Sequence, residues 1–396
     1  MTHSEVHLVG GTRLEAVKLA PVAVAMRAAG LVAPVLVAGG RHPARLRQAL
    51  AAFDLEPDVT LDVEPGGDSR AELLTELVRG LDALWSARPP AAVVVQGDST
   101  TSLAGALAAY ALRIPVVHLE AGVRSGDLES PFPEEANRRL VAQIARLHLA
   151  PTPPAAMNLV DEGVGADGVL ITGNTVVDAT LAVAARKLPY EDADVAAARA
   201  ASHGRRLILV TAHRRESWGA PLDRILEAVR ALVRRYSDVE VVLPSHPDPA
   251  VRAQVDAALG GMERVTVTGP LPYPDLARLL SEAYLVLTDS GGLQEEAPSF
   301  GVPALVLRDV TERVESLNAG CARLVGSDTD LIVKEAAVLL DDRRRRDAMT
   351  ASGNPYGDGL AAARAAQATA ALLGLAEPPE AMPAVVPAAA STGVPA

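Results

Sequence analysis

Two groups of residues have the types and spacing to do chemistry. The first is Asp289-Ser290-Gly291-Gly292-Leu293-Gln294-Glu295-Glu296. It follows the apolar run Tyr284–Thr288, which reads as a buried strand, and opens Leu293–Phe300, which reads as a helix. A strand, a Ser-Gly-Gly turn and a helix start make a phosphate cradle. Glycine lets the backbone approach a ligand, and the free amides and dipole of the helix start attract an anion. Glu296 falls one turn inside, where its carboxylate can accept hydrogen bonds from ribose hydroxyls. An acid beside a phosphate site suits a ligand carrying both groups, as a nucleotide does. The plainer alternative is an ordinary glycine-rich turn.

The second group is acidic. Asp98 ends an apolar strand in Gln96-Gly97-Asp98-Ser99, where it is either a helix N-cap or a base. Glu120, in His118-Leu119-Glu120-Ala121-Gly122, ends another strand, where an unpaired carboxylate is costly. Glu134 follows Pro131-Phe132-Pro133 and begins a helix, with Glu135 beside it in the first turn. Carboxylates gathered at one sheet edge raise one another's pKa values and can prepare a proton donor and an acceptor. The chemistry indicated is proton transfer.

Cations stand near both groups. Arg13 and Lys18 follow Gly10-Gly11-Thr12 after the first strand and can reach a phosphate or form a solvated charge pair with Glu15. His213, with Arg214 and Arg215 after a strand, can donate to a diphosphate or protonate a leaving group. His246 suits a turn equally well, and Arg313 adds a cation. No close Cys/His spacing suggests a metal site. No complete Gly-x-Gly-x-x-Gly or Walker sequence occurs, which disfavours NAD and ATP.

The elements that must position these residues alternate strand and helix. Val6–Val9, Val32–Val37, Val93–Gln96, Val116–Leu119, Leu147–Ala150 and Val169–Thr172 read as strands, with helices such as Ala71–Trp85 and Ser102–Leu112 between them. A second series holds Leu207–Thr211, Val239–Leu243, Val265–Thr268, Leu285–Thr288 and Ala304–Leu307. The expected fold is α/β: two Rossmann-like domains facing a central cleft, with ligands at the strand C-terminal ends. The linker is expected near residues 174–180, dividing domains 1–175 and 176–357. The Pro/Ala-rich end, residues 377–396, reads as a disordered tail.

Composition excludes other classes. The 396 residues are 49% hydrophobic and carry a net charge of −12, which argues against nucleic acid or an anionic membrane as partner. The single cysteine, Cys321, excludes an intrachain disulfide framework. Neither a signal peptide nor a membrane-spanning run is evident, so a cytoplasmic location is expected.

Taken in order, GTRLEAVKLAP (11–21), QGDSTTS (96–102), HLEAGVRSGD (118–127), SPFPEEANRR (130–139), TAHRRES (211–217), TDSGGLQEEAP (288–298), RDVTERVE (308–315) and NPYGDG (354–359) resemble the non-hydrolysing UDP-N-acetylglucosamine 2-epimerases. The resemblance covers residues from about 6 to about 374. It implies a glycosyltransferase-B-like architecture, a homodimer, and a C-terminal helix near 358–374 that joins the first domain. It implies reversible conversion of UDP-GlcNAc to UDP-ManNAc without a metal, flavin or nicotinamide cofactor. UDP is eliminated after loss of the C2 proton, giving 2-acetamidoglucal, and then re-adds. By motif, Asp98, Glu120 and Glu134 match the acid/base carboxylates. Arg13, Lys18 and His213 match substrate and phosphate contacts, and Ser290, Gly291, Gly292, Glu296 and Arg313 match the UDP site. Leu14, Ser217 and Val314 depart from the usual Pro, Asn and Pro. Gly39–Pro43 and Pro65–Ser69 replace side-chain-rich segments that in bacterial members contribute to an allosteric UDP-GlcNAc site. Alternatives are an epimerase of another UDP-N-acyl or deoxy sugar, a UDP-sugar glycosyltransferase of the same architecture, and a UDP-sugar sensor.

Overall fold

Short runs rich in Val, Leu and Ile become strands, and the central ones are buried on both faces, as a parallel sheet covered by helices requires. The computed structural model describes residues 4–41, 43–63 and 69–383. It contains two compact units. One runs to Ala179 and takes the chain up again at Tyr356; the other holds Thr180–Pro355.

The first unit is built on β1 (Glu5–Gly10), β2 (Ala33–Ala38), β3 (Val59–Thr60), β4 (Ala92–Gln96), β5 (Val116–Leu119), β6 (Leu147–Ala150) and β7 (Val169–Ile171). All pair parallel, in the order β3-β2-β1-β4-β5-β6-β7. The second unit is built on β8 (Arg206–Thr211), β9 (Val239–Pro244), β10 (Val265–Thr268), β11 (Ala283–Thr288), β12 (Ala304–Val306) and β13 (Ala322–Leu324), in the order β10-β9-β8-β11-β12-β13. Each order reverses direction once, at β1/β4 and at β8/β11. Such a switch point splays the loops at the strand C-terminal ends and leaves a crevice for ligands. Leu77, Leu81, Trp85 and Leu103 pack on one face of the first sheet, and Ile225, Leu226, Val229 and Leu232 on one face of the second. Each such side chain contributes about 1.5–3 kcal/mol on burial.

The unit boundary, between Ala179 and Thr180, falls in the segment expected to link the domains, and that segment is part of the helix Thr175–Ala185. Its sequence, TVVDATLAVAA, has no Gly or Pro to break it. The short edge strands β3 and β13 carry too few residues to stand out by pattern. The expected tail does not begin at Glu377: residues 377–383 are described, and Met382 is buried with its N–H donating to the Ile171 carbonyl on edge strand β7 at 2.8 Å. The rest of the expected tail, residues 384–396, lies outside the described residues. Among the described residues, no helix is long and apolar enough to cross a membrane.

Candidate functional site

In the first unit the candidates leave the sheet at its switch point. After β1 the chain turns at Gly11, where a Cβ would lie 2.1 Å from Thr101 Oγ1 and 2.5 Å from the Gly39 carbonyl, so only glycine fits. Thr12 caps the helix Arg13–Ala29 in a capping box with Glu15. Buried Glu15 accepts the Gly11 and Thr12 N–H groups at 2.9 and 2.7 Å and the Ser102 hydroxyl at 2.8 Å, and Ser99 donates to it as well. Glu15 therefore occupies helix-start amides that an anion could have used, and it ties the β1 loop to the β4 loop. Arg13 is half-buried at this start. Lys18 is placed against an acid: its Nζ donates to Glu120 Oε2 at 2.5 Å.

Gln96 and Leu119 are register partners, so Asp98 and Glu120 leave adjacent strands at the same edge. Ser99 takes the N-cap of the helix Thr100–Ala111, which frees the Asp98 side chain from that role. Asp98 pairs instead with the Arg138 guanidinium, and Asn137 Nδ2 donates to the Asp98 carbonyl at 2.8 Å. Burial raises the Asp98 carboxyl above its ordinary value against the opposing pull of Arg138, and Glu120 adds to the rise. Glu120 has left-handed backbone, φ 63°, a strained state for a residue with a Cβ. Its carboxylate also accepts from Gln96 Nε2 and, at 3.3 Å, from Asn174 Nδ2. Glu134 is half-buried at the first turn of the helix Glu134–Ile144. Its neighbour Glu135, fully buried, holds the Ser125 N–H, Arg139 and Arg138.

Sequence reasoning passed over His118, Asn137 and Arg138 as functional candidates. His118 is wholly buried, and burial pushes its imidazole down to about 3. Neutral His118 then donates from Nε2 to the Gly97 carbonyl at 2.8 Å, directly before Asp98. The signal was the alternation: in Val-Val-His-Leu the histidine faces where an apolar residue belongs, and burying it needs a partner.

In the second unit the candidates gather at the other switch point. Thr211 and Thr288 are register partners whose hydroxyls lie 2.6 Å apart. Asp289, fully buried, accepts the His213 and Arg214 N–H groups at 2.8 Å and the Ser217 hydroxyl at 2.9 Å, all on Oδ2. Its other oxygen, Oδ1, lies 3.2 Å from His213 Nδ1. Ser290 precedes the short helix Gly291–Glu296, and a Cβ at Gly291 would meet the Arg313 guanidinium at 3.4 Å. Arg313 also donates from Nε to Glu295 at 2.6 Å. Glu296 is buried, with the Tyr273 hydroxyl 3.4 Å from Oε2. His246 Nδ1 accepts the Asp248 N–H at 3.1 Å, which favours its turn role. Among the described residues, no cluster of three or more His, Cys, Asp or Glu side chains could hold a metal ion.

Two doubly wound parallel sheets, each with charged loops at its switch point, define a glycosyltransferase-B-like protein of the nucleotide-sugar type. A family model described as UDP-N-acetylglucosamine 2-epimerase matches residues 24–370. The UDP-N-acetylglucosamine 2-epimerase of Escherichia coli K12 is 41% identical over 371 residues, covering 90% of this chain and 96% of that protein. The crystal structure of UDP-GlcNAc 2-epimerase from Neisseria meningitidis bound to UDP-GlcNAc aligns with a TM-score of 0.79 and 36% identity, over 90% of this chain and 97% of that one. An S. aureus protein in a co-structure with UDP aligns with a TM-score of 0.85 and 36% identity, over 96% of this chain and all of that one. The chain belongs to the UDP-N-acetylglucosamine 2-epimerase family.

Proposed function

We propose that this protein is a cytoplasmic, homodimeric isomerase that interconverts UDP-GlcNAc and UDP-ManNAc. Family membership supports the reaction, and relatives solved with UDP-GlcNAc or UDP support the ligand. A carboxylate removes the C2 proton while the C1–oxygen bond breaks and UDP leaves with the electron pair. The product pair is UDP and 2-acetamidoglucal. UDP then re-adds at C1 as a carboxylic acid returns a proton to the other face of C2. Asp98, Glu120 and Glu134 are the acid/base groups, and His213 serves the leaving diphosphate. Arg13 and Lys18 bind substrate. Ser290, Gly291, Gly292 and Arg313 hold the diphosphate, and Glu296 holds the ribose.

The observation that carries this reading is the contrast between two acids on adjacent strands. Glu120 sits among hydrogen-bond donors from Lys18, Gln96 and Asn174, whereas burial favours the protonated form of Asp98. A carboxylate held among donors and an acid whose burial favours its proton suit one taking a proton and one giving it. Lys18, by neutralising Glu120, also keeps that negative group compatible with an anionic substrate nearby. Incubation with UDP-GlcNAc in deuterated water, with no acceptor, tests the reading. It expects deuterium at C2 in both epimers; binding without exchange, or transfer that needs an acceptor, overturns it. Exposed Leu107, Tyr110 and Leu140 on neighbouring helices support the dimer, which sedimentation equilibrium tests.

A further inference from the structure

The loop that follows β12 is laced to its neighbours by charge. Arg308 Nη1 donates to Glu312 Oε2 at 2.8 Å, and Arg214 Nη2, from the loop after β8, donates to Glu312 Oε1 at 3.3 Å. Arg313 Nη1 forms an ion pair with the same Oε1 at 3.4 Å. Two of these arginines also hold a second acid: Arg308 donates from Nε to Glu216 at 2.8 Å, and Arg313 from Nε to Glu295 at 2.6 Å. Within these pairs three guanidinium groups, Arg214, Arg308 and Arg313, meet three carboxylates, Glu216, Glu295 and Glu312, so the network is neutral. Beside it, exposed Arg215 follows Arg214, and buried Asp289 accepts the N–H groups of that loop. Against the opposing cost of burial, Arg313 and Arg308 hold the Glu312 carboxyl down to about 2, so its charge is present at any working pH.

The network reaches the turn assigned above to the diphosphate. The Arg313 guanidinium lies 3.4 Å from where a Cβ would stand on Gly291, and Arg214 is next to His213. Thr311 Oγ1 donates to Gln294 Oε1 at 2.9 Å, which fixes the loop on the helix Gly291–Glu296. These arginines therefore meet a ligand already paired. A neutral network gives a diphosphate little net attraction, and Glu312 adds a repulsion that grows with ligand charge. Two ligands of the reaction differ in that charge. In a nucleotide sugar the outer phosphate is esterified, whereas in free UDP it ionises a second time near pKa 6.

We infer that Glu312 is a specificity-determining residue that offsets the extra charge of free UDP, so that the site does not grip UDP more tightly than the nucleotide sugar. The inference rests on the nucleotide reading above. In that reaction UDP stands free beside 2-acetamidoglucal between elimination and re-addition. A site that held the more highly charged UDP hard would deepen this intermediate and slow the return step, because stabilising a bound state does not by itself lower the barrier out of it. Glu312 raises free UDP relative to both nucleotide sugars and leaves the arginines ordered by their acids.

Glu312→Gln separates this from a packing role, since it keeps one acceptor for the arginines and loses the charge. Two constants are read on the whole protein: the inhibition constant of UDP and the KM for UDP-GlcNAc. In Glu312→Gln the UDP constant should fall roughly three- to tenfold, with a smaller fall in KM, and calorimetry should show binding of uridine, which has no phosphate, unchanged. Arg214→Gln removes a cation from the same network. It should raise the UDP constant more than KM and again spare uridine, so the inference stays testable even where Glu312→Gln fails to fold. A UDP constant that rises in Glu312→Gln would mean that Glu312 only holds the arginines in place, and overturns the inference. Constants that stay unchanged or fall equally overturn it as well, and all of these outcomes leave the nucleotide reading intact. A wild-type protein that binds no UDP overturns the nucleotide reading and the inference with it.

Discussion

The two acids and the nucleotide turn separate binding from turnover at the level of single side chains. Asp98→Asn removes a titrating group but keeps its shape and its acceptor for Arg138. It should lower kcat by roughly 10²- to 10⁴-fold and leave UDP affinity unchanged. Glu296→Ala should do the reverse, weakening UDP roughly tenfold or more through lost hydrogen bonds to a charged acceptor. Calorimetry of UDP binding beside kinetics on both variants checks the pair; normal turnover by Asp98→Asn would take Asp98 out of the mechanism. His118 belongs to the same scale. Its neutral ring ties down the Gly97 carbonyl, and Gly97 has φ 68°, so the backbone just before Asp98 is bent into the left-handed region and held there by this bond together with the Gly97 N–H donating to the Leu119 carbonyl at 3.0 Å. His118→Phe keeps the bulk and loses the donor. A loss of roughly ten- to a hundredfold in kcat is expected from a misplaced carboxylate, with UDP affinity unaltered, and steady-state kinetics with parallel UDP titration would reveal it.

Elements were legible where pattern is long and obscure where tertiary contacts override pattern. The strands at or beside the switch points, β1, β4, β5, β8 and β11, stand out as apolar runs followed within two residues by Gly, Asp, Glu or His, and these carry most of the candidate residues. The segment expected to link the domains holds the unit boundary and is helical, Thr175–Ala185, because its apolar, Ala-rich composition favours a helix, and spacing between two strand series says nothing of the form that joins them. Its Asp178 is what gives the helix Ala361–Leu372 its start: the carboxylate accepts the Ala361 and Ala362 N–H groups at 3.3 and 2.8 Å, a cap supplied from 183 residues away and invisible to local pattern. Burial holds the Asp178 carboxyl up, at about 6 against an ordinary 3.8. The folded form thus keeps this proton more tightly than the unfolded chain. Its contribution favours folding at pH below about 4 and fades as pH rises through about 6. Asp178→Asn keeps an acceptor and cannot titrate, so melting temperatures across that window should lose this slope in the variant. The docked segment before residue 384 makes a second test. Ending the chain at Pro378 removes the Met382 side chain and its hydrogen bond to Ile171 from the edge of the first sheet. A loss of about 2 kcal/mol, or roughly 4–8 °C of melting temperature, is expected, while a chain ending at Pro383 should melt like the full protein.

At the scale of the whole molecule, the sequence motifs identify the reaction more readily than its control, because control depends on loops whose side chains carry little pattern. Of the two replaced segments, His42 and residues 64–68, with Asp68 among them, lie outside the described residues; the flanking residues explain the replacement. Gly40 adopts φ 113°, and a Cβ there would lie 2.9 Å from the Gly11 carbonyl. The Gly39 N–H donates to the Gly10 carbonyl at 2.8 Å. These glycines pack the loop after β2 onto the turn after β1, a backbone task to which glycine brings no side-chain donor. Arg41 donates to the Ser69 carbonyl at 2.5 Å, so it braces one replaced segment against the end of the other. Arg70 lies over the Phe132 ring at 5.5 Å. Cations that could have served a second diphosphate are thus drawn into contacts within the first unit. The protein should therefore convert UDP-ManNAc without help from UDP-GlcNAc. An enzyme with a coupled second site changes affinity by roughly 5- to 150-fold when that site fills, and starting from UDP-ManNAc alone it idles until product accumulates. Here the progress curve should be linear from the first seconds, and added traces of UDP-GlcNAc should leave the initial rate unchanged. A lag abolished by those traces would mean that Arg41 and Arg70 leave their present partners to bind a second nucleotide sugar.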